Sequence, residues 1–338
     1  MIEIIDFTKE HIEAAKKIAL ENYEEERKKV ISLPEVKEIP DLMHFADNQL
    51  GVSAFEGEKM LGYLCAYFPM DNAFGTTFVK GTFSPMHAHG VIQTSNTSQL
   101  DRMDTVCKYS KEQIYSKMYQ KAADKWVKAG ILIHTIALYA HDEEAIHSFF
   151  FNGFGLRCID AIRPMEGITE KSEHPDSITE DLIYQEVPRD EWKYMVDMNN
   201  QLISHLSHSP IFMNYELLDE KEFYRKKSQD SLYFAVKRYD KYIAYIYITK
   251  EGETFITKDS SMVNINGAYC DIEYRGSGIY HNLLAYTIQT LKKEGYTRLG
   301  VDFESFNPTA RGFWLKNFEA YTSSVVRRID DKAFINKD

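Results

Sequence analysis

The chain has 338 residues, of which 44% are hydrophobic and 27% charged, and its formal net charge at pH 7 is −11. This length predicts two domains with conventional hydrophobic cores. The acidic balance argues against nucleic-acid binding, which needs a basic surface to neutralise phosphates, and it suits a cationic partner such as an amine. No stretch approaches the roughly 20 apolar residues of a membrane-spanning helix, and no basic, apolar leader begins the chain, so we expect a cytoplasmic protein.

The first half of the sequence alternates between helix-like and strand-like patterns. Its predicted elements, in chain order, are a helical stretch after Glu10, a strand at residues 59–63, a turn at 84–91, a polar stretch at 93–104, a helix at 111–128 and a strand at 131–138. Gly130 marks the end of the long helix, and Asp142 follows the last strand. No pair of glycines precedes the 111–128 helix.

Histidines in this half raise the question of a metal site. His87 and His89 are two residues apart, so on a strand both side chains would point to the same face. Other ligand types follow them, namely Asp101, Asp104, Cys107, His134 and His141. No tight motif such as H-x-x-x-H is present, so we expect no metal and interpret these residues as the polar lining of a cleft. We expect reduced thiols at the four well-separated cysteines, Cys65, Cys107, Cys158 and Cys270.

A polar, acidic and aperiodic segment, residues 166–177, separates the two halves. Such composition is typical of a linker and contrasts with the periodic patterns on either side. We therefore predict a first domain at residues 1–165, a linker at 166–181 and a second domain at 182–338.

The most informative segment lies in the second half, where a strand pattern turns directly into an amphipathic helix. Met262–Ile272 alternates loosely between apolar and polar residues, and apolar residues recur at helical spacing from Ile279 to Leu291. Between them stands the tetrapeptide Arg275–Gly278, with the sequence Arg-Gly-Ser-Gly. Glycines at a helix start let a ligand approach the backbone, and the unpaired amides and the helix dipole there favour phosphate.

A second strand-to-helix transition follows. Thr297–Phe303 predicts a short strand, Asn307 is placed to cap the next helix, and Pro308 fits its first position. Ala310 completes an Asn-x-x-Ala sequence, and an aromatic helix containing Trp314 leads to a final strand pair.

The two halves repeat one plan. Gly130 matches Gly295 (295 − 130 = 165) and Ala145 matches Ala310 (310 − 145 = 165), each within the same order of helix, glycine, strand and helix. A shared order of elements at a constant separation predicts two copies of one fold.

This order of elements, with Arg-Gly-x-Gly before one helix and Asn-x-x-Ala at the start of the next, resembles the GNAT superfamily of N-acetyltransferases over residues 182–338. The resemblance implies an α/β fold with two tandem GNAT-like domains, each a mixed, mostly antiparallel central sheet flanked by helices. It also implies acetyl-CoA as the acyl donor, bound in the second domain. The first half resembles a GNAT domain without its pyrophosphate loop, with Asp142 and Phe149 in place of Asn307 and Trp314.

The resemblance also implies the residues of the site. Acetyl-CoA would be bound by the strand end, the glycine turn and the start of the following helix, that is by Cys270, Ile272, Arg275, Gly276, Ser277, Gly278, Ile279, Tyr280, Asn307, Ala310 and Trp314. Direct attack of an amine on the thioester needs proton transfer, for which the candidates are Asp271, Glu304 and Tyr280.

Other polar residues lie near this region of the sequence. We expect Asp271 and Glu273 on one face of their strand, and Asp302 and Glu304 on one face of theirs. His205 and His208 fall in a stretch that borders the acceptor site in the resembled family, and for them we favour a solvated helix end over a proton acceptor.

Alternatives from other functional classes remain open. One is a non-catalytic acetyl-CoA sensor, and another is a tandem transferase that uses aminoacyl-tRNA as its donor, against which the charge of −11 argues. The acceptor is open between a small amine, an aminoglycoside-like sugar, a peptide N-terminus and a lysine side chain. We expect no nucleic-acid or membrane partner, and a monomer whose two halves pack as an intramolecular pseudo-dimer.

Overall fold

A computed structural model describes residues 1–71, 79–93, 108–168 and 181–334 of the chain. The chain divides into two compact units, of which unit 1 comprises residues 1–159 and 320–338 and unit 2 comprises residues 160–319. Most of the predicted linker, residues 169–180, lies outside the described residues. Over the described ranges, no helix is long and apolar enough to cross a membrane.

The structure has helices and strands in the alternating order that the sequence predicts. The helices are α1 (Ile12–Lys29), α2 (Met43–Asp47), α3 (Lys111–Lys128), α4 (Glu143–Phe151), α5 (Met195–Ser207), α6 (Glu220–Arg225), α7 (Ile279–Lys293) and α8 (Pro308–Asn317). The strands are β1 (Glu3–Asp6), β2 (Val52–Glu56), β3 (Lys59–Leu64), β4 (Lys80–Ser84), β5 (His89–Val91), β6 (Ile131–Tyr139), β7 (Gly155–Pro164), β8 (Leu182–Glu186), β9 (Leu232–Arg238), β10 (Lys241–Thr249), β11 (Met262–Cys270), β12 (Arg298–Glu304), β13 (Glu319–Ala320) and β14 (Thr322–Arg328).

Unit 1 is built on two groups of strands. In one, antiparallel neighbours follow the order β1-β2-β3-β5. In the other, β4 runs parallel to β6, and β14 pairs antiparallel with both β6 and the start of β7. Helix α3 packs on this core because its apolar residues recur every three or four positions, as in Ile114, Met118, Ala122 and Trp126, all of which are buried.

The position of the last strand differs from the predicted domain division. β14 belongs to unit 1, whereas the sequence pattern places residues 182–338 together in the second domain. Val325 of this strand is fully buried in the apolar core of unit 1. Sequence periodicity shows that a strand exists but not which strands it pairs with. The sequence pattern therefore could not show that β14 pairs with strands of unit 1.

Unit 2 carries a mixed sheet in the order β8-β9-β10-β11-β12. Its neighbours are antiparallel except for the parallel pair β11 and β12. Helix α7 packs on β8, β9 and β10, helix α5 packs on β11, and α8 packs on β12. The predicted fold class, a mixed α/β fold with helices flanking mixed sheets, is confirmed.

The predicted repeat is visible in the element boundaries. Helices α3 and α7 end at Lys128 and Lys293 (293 − 128 = 165), and helices α4 and α8 begin at Glu143 and Pro308 (308 − 143 = 165). Each unit thus uses the same long helix, parallel strand and capped short helix in the same order.

Candidate functional site

Two parallel strands of unit 2 separate toward their carboxyl ends. The register of β11 with β12 runs over Met262–Ile265 and Arg298–Val301, and within these two fully described strands it extends no further. Both strands nevertheless continue, β11 to Cys270 and β12 to Glu304. The register between β10 and β11 also shifts at this level, as at a β-bulge. An opening therefore lies between the strands immediately before the predicted glycine turn.

The glycine turn, Arg275–Gly278, leaves open space around its backbone at the start of α7, and we call this space the cradle. Gly276 and Gly278 have φ values of +81° and +92°, a region that favours glycine, and a Cβ placed on either would meet no atom within 4 Å. Gly278 is the N-cap of α7, so the amides of the first helical turn lack intrahelical acceptors. Ser277 closes the turn by donating its hydroxyl to the Tyr274 carbonyl at 2.6 Å. The backbone can thus approach an anion here without side-chain obstruction.

Arg275 is held in place beside this cradle. Its Nε donates to the Cys270 carbonyl at 3.0 Å, and its guanidinium lies 5.6 Å from the centre of the Tyr269 ring. Two contacts from one strand end therefore fix the positive charge next to the start of α7. A fixed guanidinium beside amides that lack intrahelical acceptors suits a phosphate group.

The end of β11 differs in detail from the sequence prediction. The strand stops at Cys270, and Asp271 begins a short 3₁₀ helix, Ile272–Tyr274, so Asp271 and Glu273 do not share a strand face. Asp271 forms an ion pair with Lys241 at 2.7 Å. Burial raises the pKa of the Cys270 thiol to about 12, which keeps this thiol protonated at neutral pH. Ile272 is 75% exposed in this turn.

Tyr280 and Trp314 lie in an aromatic cluster behind the cradle. The hydroxyl of Tyr280 donates to the Tyr245 carbonyl at 3.3 Å, and burial raises the pKa of Tyr280 well above its ordinary value. Its ring is 5.0 Å from that of Phe313 and 6.2 Å from that of Trp314. Trp314 is 4% exposed, so this cluster, together with the buried Ile279, supports the start of α7 from beneath.

The cap of α8 is formed by Asn307. Asn307 is buried, and its Oδ1 accepts hydrogen bonds from the Ala310 amide at 3.4 Å and the Thr309 hydroxyl at 2.8 Å. The predicted cap is thus present. Burial lowers the pKa of His205 on α5, and the Asn307 side chain partly offsets this effect, an influence that sequence analysis missed because α5 lies about 100 residues earlier in the chain.

Carboxylates gather on β12 and around it. Burial, followed by repulsion from Glu253, Asp160 and Glu304, raises the pKa of Asp302 well above its ordinary value. Asp302 and Glu304 alternate with the buried Val301 and Phe303, as predicted for one face of the strand. Neither Asp160 nor Glu253 was identified from the sequence, since nothing in their local pattern distinguishes them from solvated acids.

The described residues of unit 1 form no comparable glycine turn before a helix. Helix α3 is capped by Ser110, whose hydroxyl accepts from the Gln113 amide. At the matching helix starts, Lys111 and Asp142 form a buried ion pair at 2.8 Å. Asp142 caps α4 in the same way as Asn307 caps α8, since its Oδ1 accepts a hydrogen bond from the Ala145 amide.

Three of the histidines considered as metal ligands, His87, His89 and His134, are buried in the core of unit 1, whereas His141 is partly exposed and paired with Glu26. His89 is hydrogen-bonded to the Ala137 carbonyl and the Tyr115 hydroxyl, and His134 to the Tyr119 hydroxyl and the Ile131 carbonyl. His87 lies in the turn before β5, whereas His89 is the first residue of that strand, so the two side chains do not share a strand face. Asp101, Asp104 and Cys107 lie outside the described residues. Among the described residues, no three metal-binding side chains form a group that could hold a metal ion, and Cys65, Cys158 and Cys270 are free thiols.

Comparison with known proteins relates the part of the chain that contains this site to a protein family. Residues 199–319 match the profile of the acetyltransferase (GNAT) family. The structure is similar to that of a GCN5-related N-acetyltransferase from Sphaerobacter thermophilus, with a TM-score of 0.52 and 8% identity, covering 97% of this chain and 95% of that one. It is also similar to a GCN5-related glucosamine N-acetyltransferase region of a fungal multi-domain GH3 β-N-acetylglucosaminidase, with a TM-score of 0.51 and 11% identity.

The second similarity covers 96% of this chain but only 38% of the fungal chain. At sequence identities this low, both structural similarities show a shared fold and nothing about the substrate. A search among curated proteins found no match. The matched segment contains the separated strands, the glycine turn and the cap of α8. Residues 199–319 therefore form a domain of the acetyltransferase (GNAT) family.

Proposed function

We propose that the protein is an acetyl-CoA-dependent N-acetyltransferase whose cofactor binds in unit 2. The observation that carries this proposal is the open Arg-Gly-Ser-Gly turn at the start of α7, next to the separated ends of β11 and β12. The turn offers amides and a positive charge to a pyrophosphate, and the separated strands leave room for an extended arm.

The residues of the turn fit this cofactor. Arg275 and the amides from Gly276 to Tyr280 would hold the pyrophosphate, and the exposed edge of β11 near Cys270 would offer backbone groups to the arm. Acetyl-CoA supplies a thioester that an amine can attack. The protein's part is to hold the donor, to position the amine and to accept the proton that the attacking ammonium must lose.

The three predicted proton-transfer residues have different surroundings. Glu304 lies half-buried at the end of β12, and we propose that it faces the acceptor amine. The carboxylate of Asp271 is neutralised by Lys241, and the hydroxyl of Tyr280 is engaged with a backbone carbonyl, so we assign these two residues to positioning. The acceptor is an amine. Glucosamine, the substrate in the name of the fungal relative, is the first one to try.

Calorimetry with acetyl-CoA tests the cofactor site. We expect one molecule to bind per chain, because the described part of unit 1 lacks the glycine turn. Gly278→Glu should weaken binding at least 100-fold, or about 2.7 kcal/mol, since the new carboxylate fills the cradle and repels the pyrophosphate.

Gly295→Glu provides a matched control at the opposite end of the same helix. Gly295 has a similar φ of +97° and equally open surroundings, so the backbone strain of the substitution is comparable. We expect this variant to bind like the wild type. Equal losses in both variants, or two equivalent sites per chain, would contradict the assignment. Release of free CoA in the presence of an amine then distinguishes an enzyme from an acetyl-CoA sensor.

A further inference from the structure

A second arginine, Arg238, lies close to the glycine turn although it belongs to a different part of the sheet. Arg238 is the last residue of β9, and it pairs in register with Lys241 at the start of β10. Its Nη1 lies 3.5 Å from the hydroxyl of Tyr274. Tyr274 immediately precedes the glycine turn, and its carbonyl accepts the hydrogen bond from Ser277 that closes the turn. One tyrosine side chain therefore spans the distance between the guanidinium and the backbone of the turn.

The guanidinium of Arg238 is held by two aromatic rings. Its central carbon is 5.4 Å from the centre of the Tyr239 ring and 5.8 Å from that of the Tyr274 ring. Apart from these two tyrosines, no described residue forms a hydrogen bond or an ion pair with the guanidinium. The side chain is partly exposed, so its outer N–H groups can reach a ligand. The rings orient the positive charge of Arg238 without neutralising it.

The other basic residues of this hairpin are neutralised within the protein. The ammonium of Lys241 forms an ion pair with Asp271 at 2.7 Å, and that of Lys237 lies 3.7 Å from the carboxylate of Glu191. Within the described part of the hairpin, Arg238 thus differs from both lysines in having no carboxylate partner. An oriented guanidinium with an uncompensated charge is suited to a phosphate group of a ligand.

We propose that Arg238 binds the 3′-phosphate of acetyl-CoA, an inference that rests on the proposed cofactor site. CoA carries its pyrophosphate on the 5′ oxygen of a ribose and a phosphate monoester on the 3′ oxygen of the same ribose. A protein that holds the pyrophosphate at Arg275–Gly278 therefore meets the second anion nearby. The monoester has a charge of about −1.5 to −2 at pH 7 and three acceptor oxygens, which a guanidinium can engage through two N–H groups. Arg238 has a binding role here and takes no part in proton transfer.

Calorimetry of the full chain with acetyl-CoA and with 3′-dephospho-acetyl-CoA tests the proposal. We expect the wild type to bind acetyl-CoA about 10-fold more tightly, because only this donor carries the second anion. Arg238→Met should weaken acetyl-CoA binding about 10-fold and leave the affinity for the dephosphorylated donor unchanged. Arg238→Lys should keep part of the preference, since an ammonium retains the charge but not the two-pronged geometry.

Lys237→Met is the matched control, because it removes one positive charge from the neighbouring position, whose side chain projects from the other face of β9. This variant should bind both donors like the wild type. Equal affinities of the wild type for the two donors, a comparison that needs no variant, would overturn the inference and leave the acetyl-CoA site in place. So would equal losses for both donors in Arg238→Lys. A wild-type protein that binds neither donor would instead overturn the proposed function, and the inference with it.

Discussion

At the scale of single residues, Asp302 carries an unfavourable charge in unit 2. Its carboxyl group is desolvated and faces three other acids, Asp160, Glu253 and Glu304, so its pKa is raised well above that of an unfolded chain. Between the unfolded and folded pKa values, the folded state binds the extra proton. Stability therefore decreases as pH rises from about 4 through the folded pKa of this group.

Replacing Asp302 by Asn should stabilise the protein. The amide removes the desolvated charge and its repulsion, so we expect a melting temperature about 2–4 °C higher at pH 7.5 and little change at pH 4. Asp240→Asn removes the same charge from an exposed turn and should have almost no effect at either pH. Thermal unfolding followed by circular dichroism measures all three proteins. A similar increase in both variants would point to net charge and not to the surroundings of Asp302.

The residues of the candidate site were predictable to the extent that local sequence determines their roles. Gly276 and Gly278 have the backbone conformations that favour glycine, and Asn307 forms the predicted cap, because turns and caps depend on neighbouring residues. The ion pair of Asp271 with Lys241 depends on tertiary structure. These two residues are 30 positions apart in the sequence, so no local pattern indicates their pairing.

At the scale of secondary-structure elements, the two copies of the fold have diverged at the same place. In unit 2 the start of α7 is an open glycine turn, and α8 is capped by the uncharged Asn307. In unit 1 the start of α3 carries Lys111, whose ammonium is paired with Asp142 at the start of α4. We infer that this buried ion pair replaces ligand contacts with internal ones, which explains why we expect only unit 2 to bind acetyl-CoA.

Breaking this ion pair should destabilise unit 1. Asp142→Asn keeps the cap of α4 but leaves the buried ammonium of Lys111 unpaired, which costs about 3–5 kcal/mol. Adding Lys111→Met should recover most of the loss, because the unpaired charge is then removed. The control Asp124→Asn breaks an exposed pair with Lys128 and should cost less than about 1 kcal/mol. Urea unfolding measures these differences, and a single variant as stable as the double variant would refute the argument.

At the scale of the whole molecule, unit 1 depends on both ends of the chain. β14 supplies hydrogen bonds to β6 along Thr322–Arg328 and to the start of β7, and its Val325 side chain fills part of the unit 1 core. Strands and helices were predictable from periodicity, yet strand pairing over such a sequence distance was not, because the alternating pattern of a strand specifies a buried face and no partner.

The same pairing predicts how fragments behave. Residues 1–165 alone lack β14 and would expose the edge of β6, while residues 182–338 alone would carry β14 without its partners, so we expect both fragments to aggregate or to form dimers. We expect the full chain to sediment as a monomer. A fragment in which a flexible linker joins residues 1–165 to residues 320–338 restores every strand of unit 1, and it should be monomeric with a cooperative thermal transition. Sedimentation velocity compares the four proteins, and a monomeric, cooperatively folded 1–165 fragment would show that β14 is dispensable for unit 1.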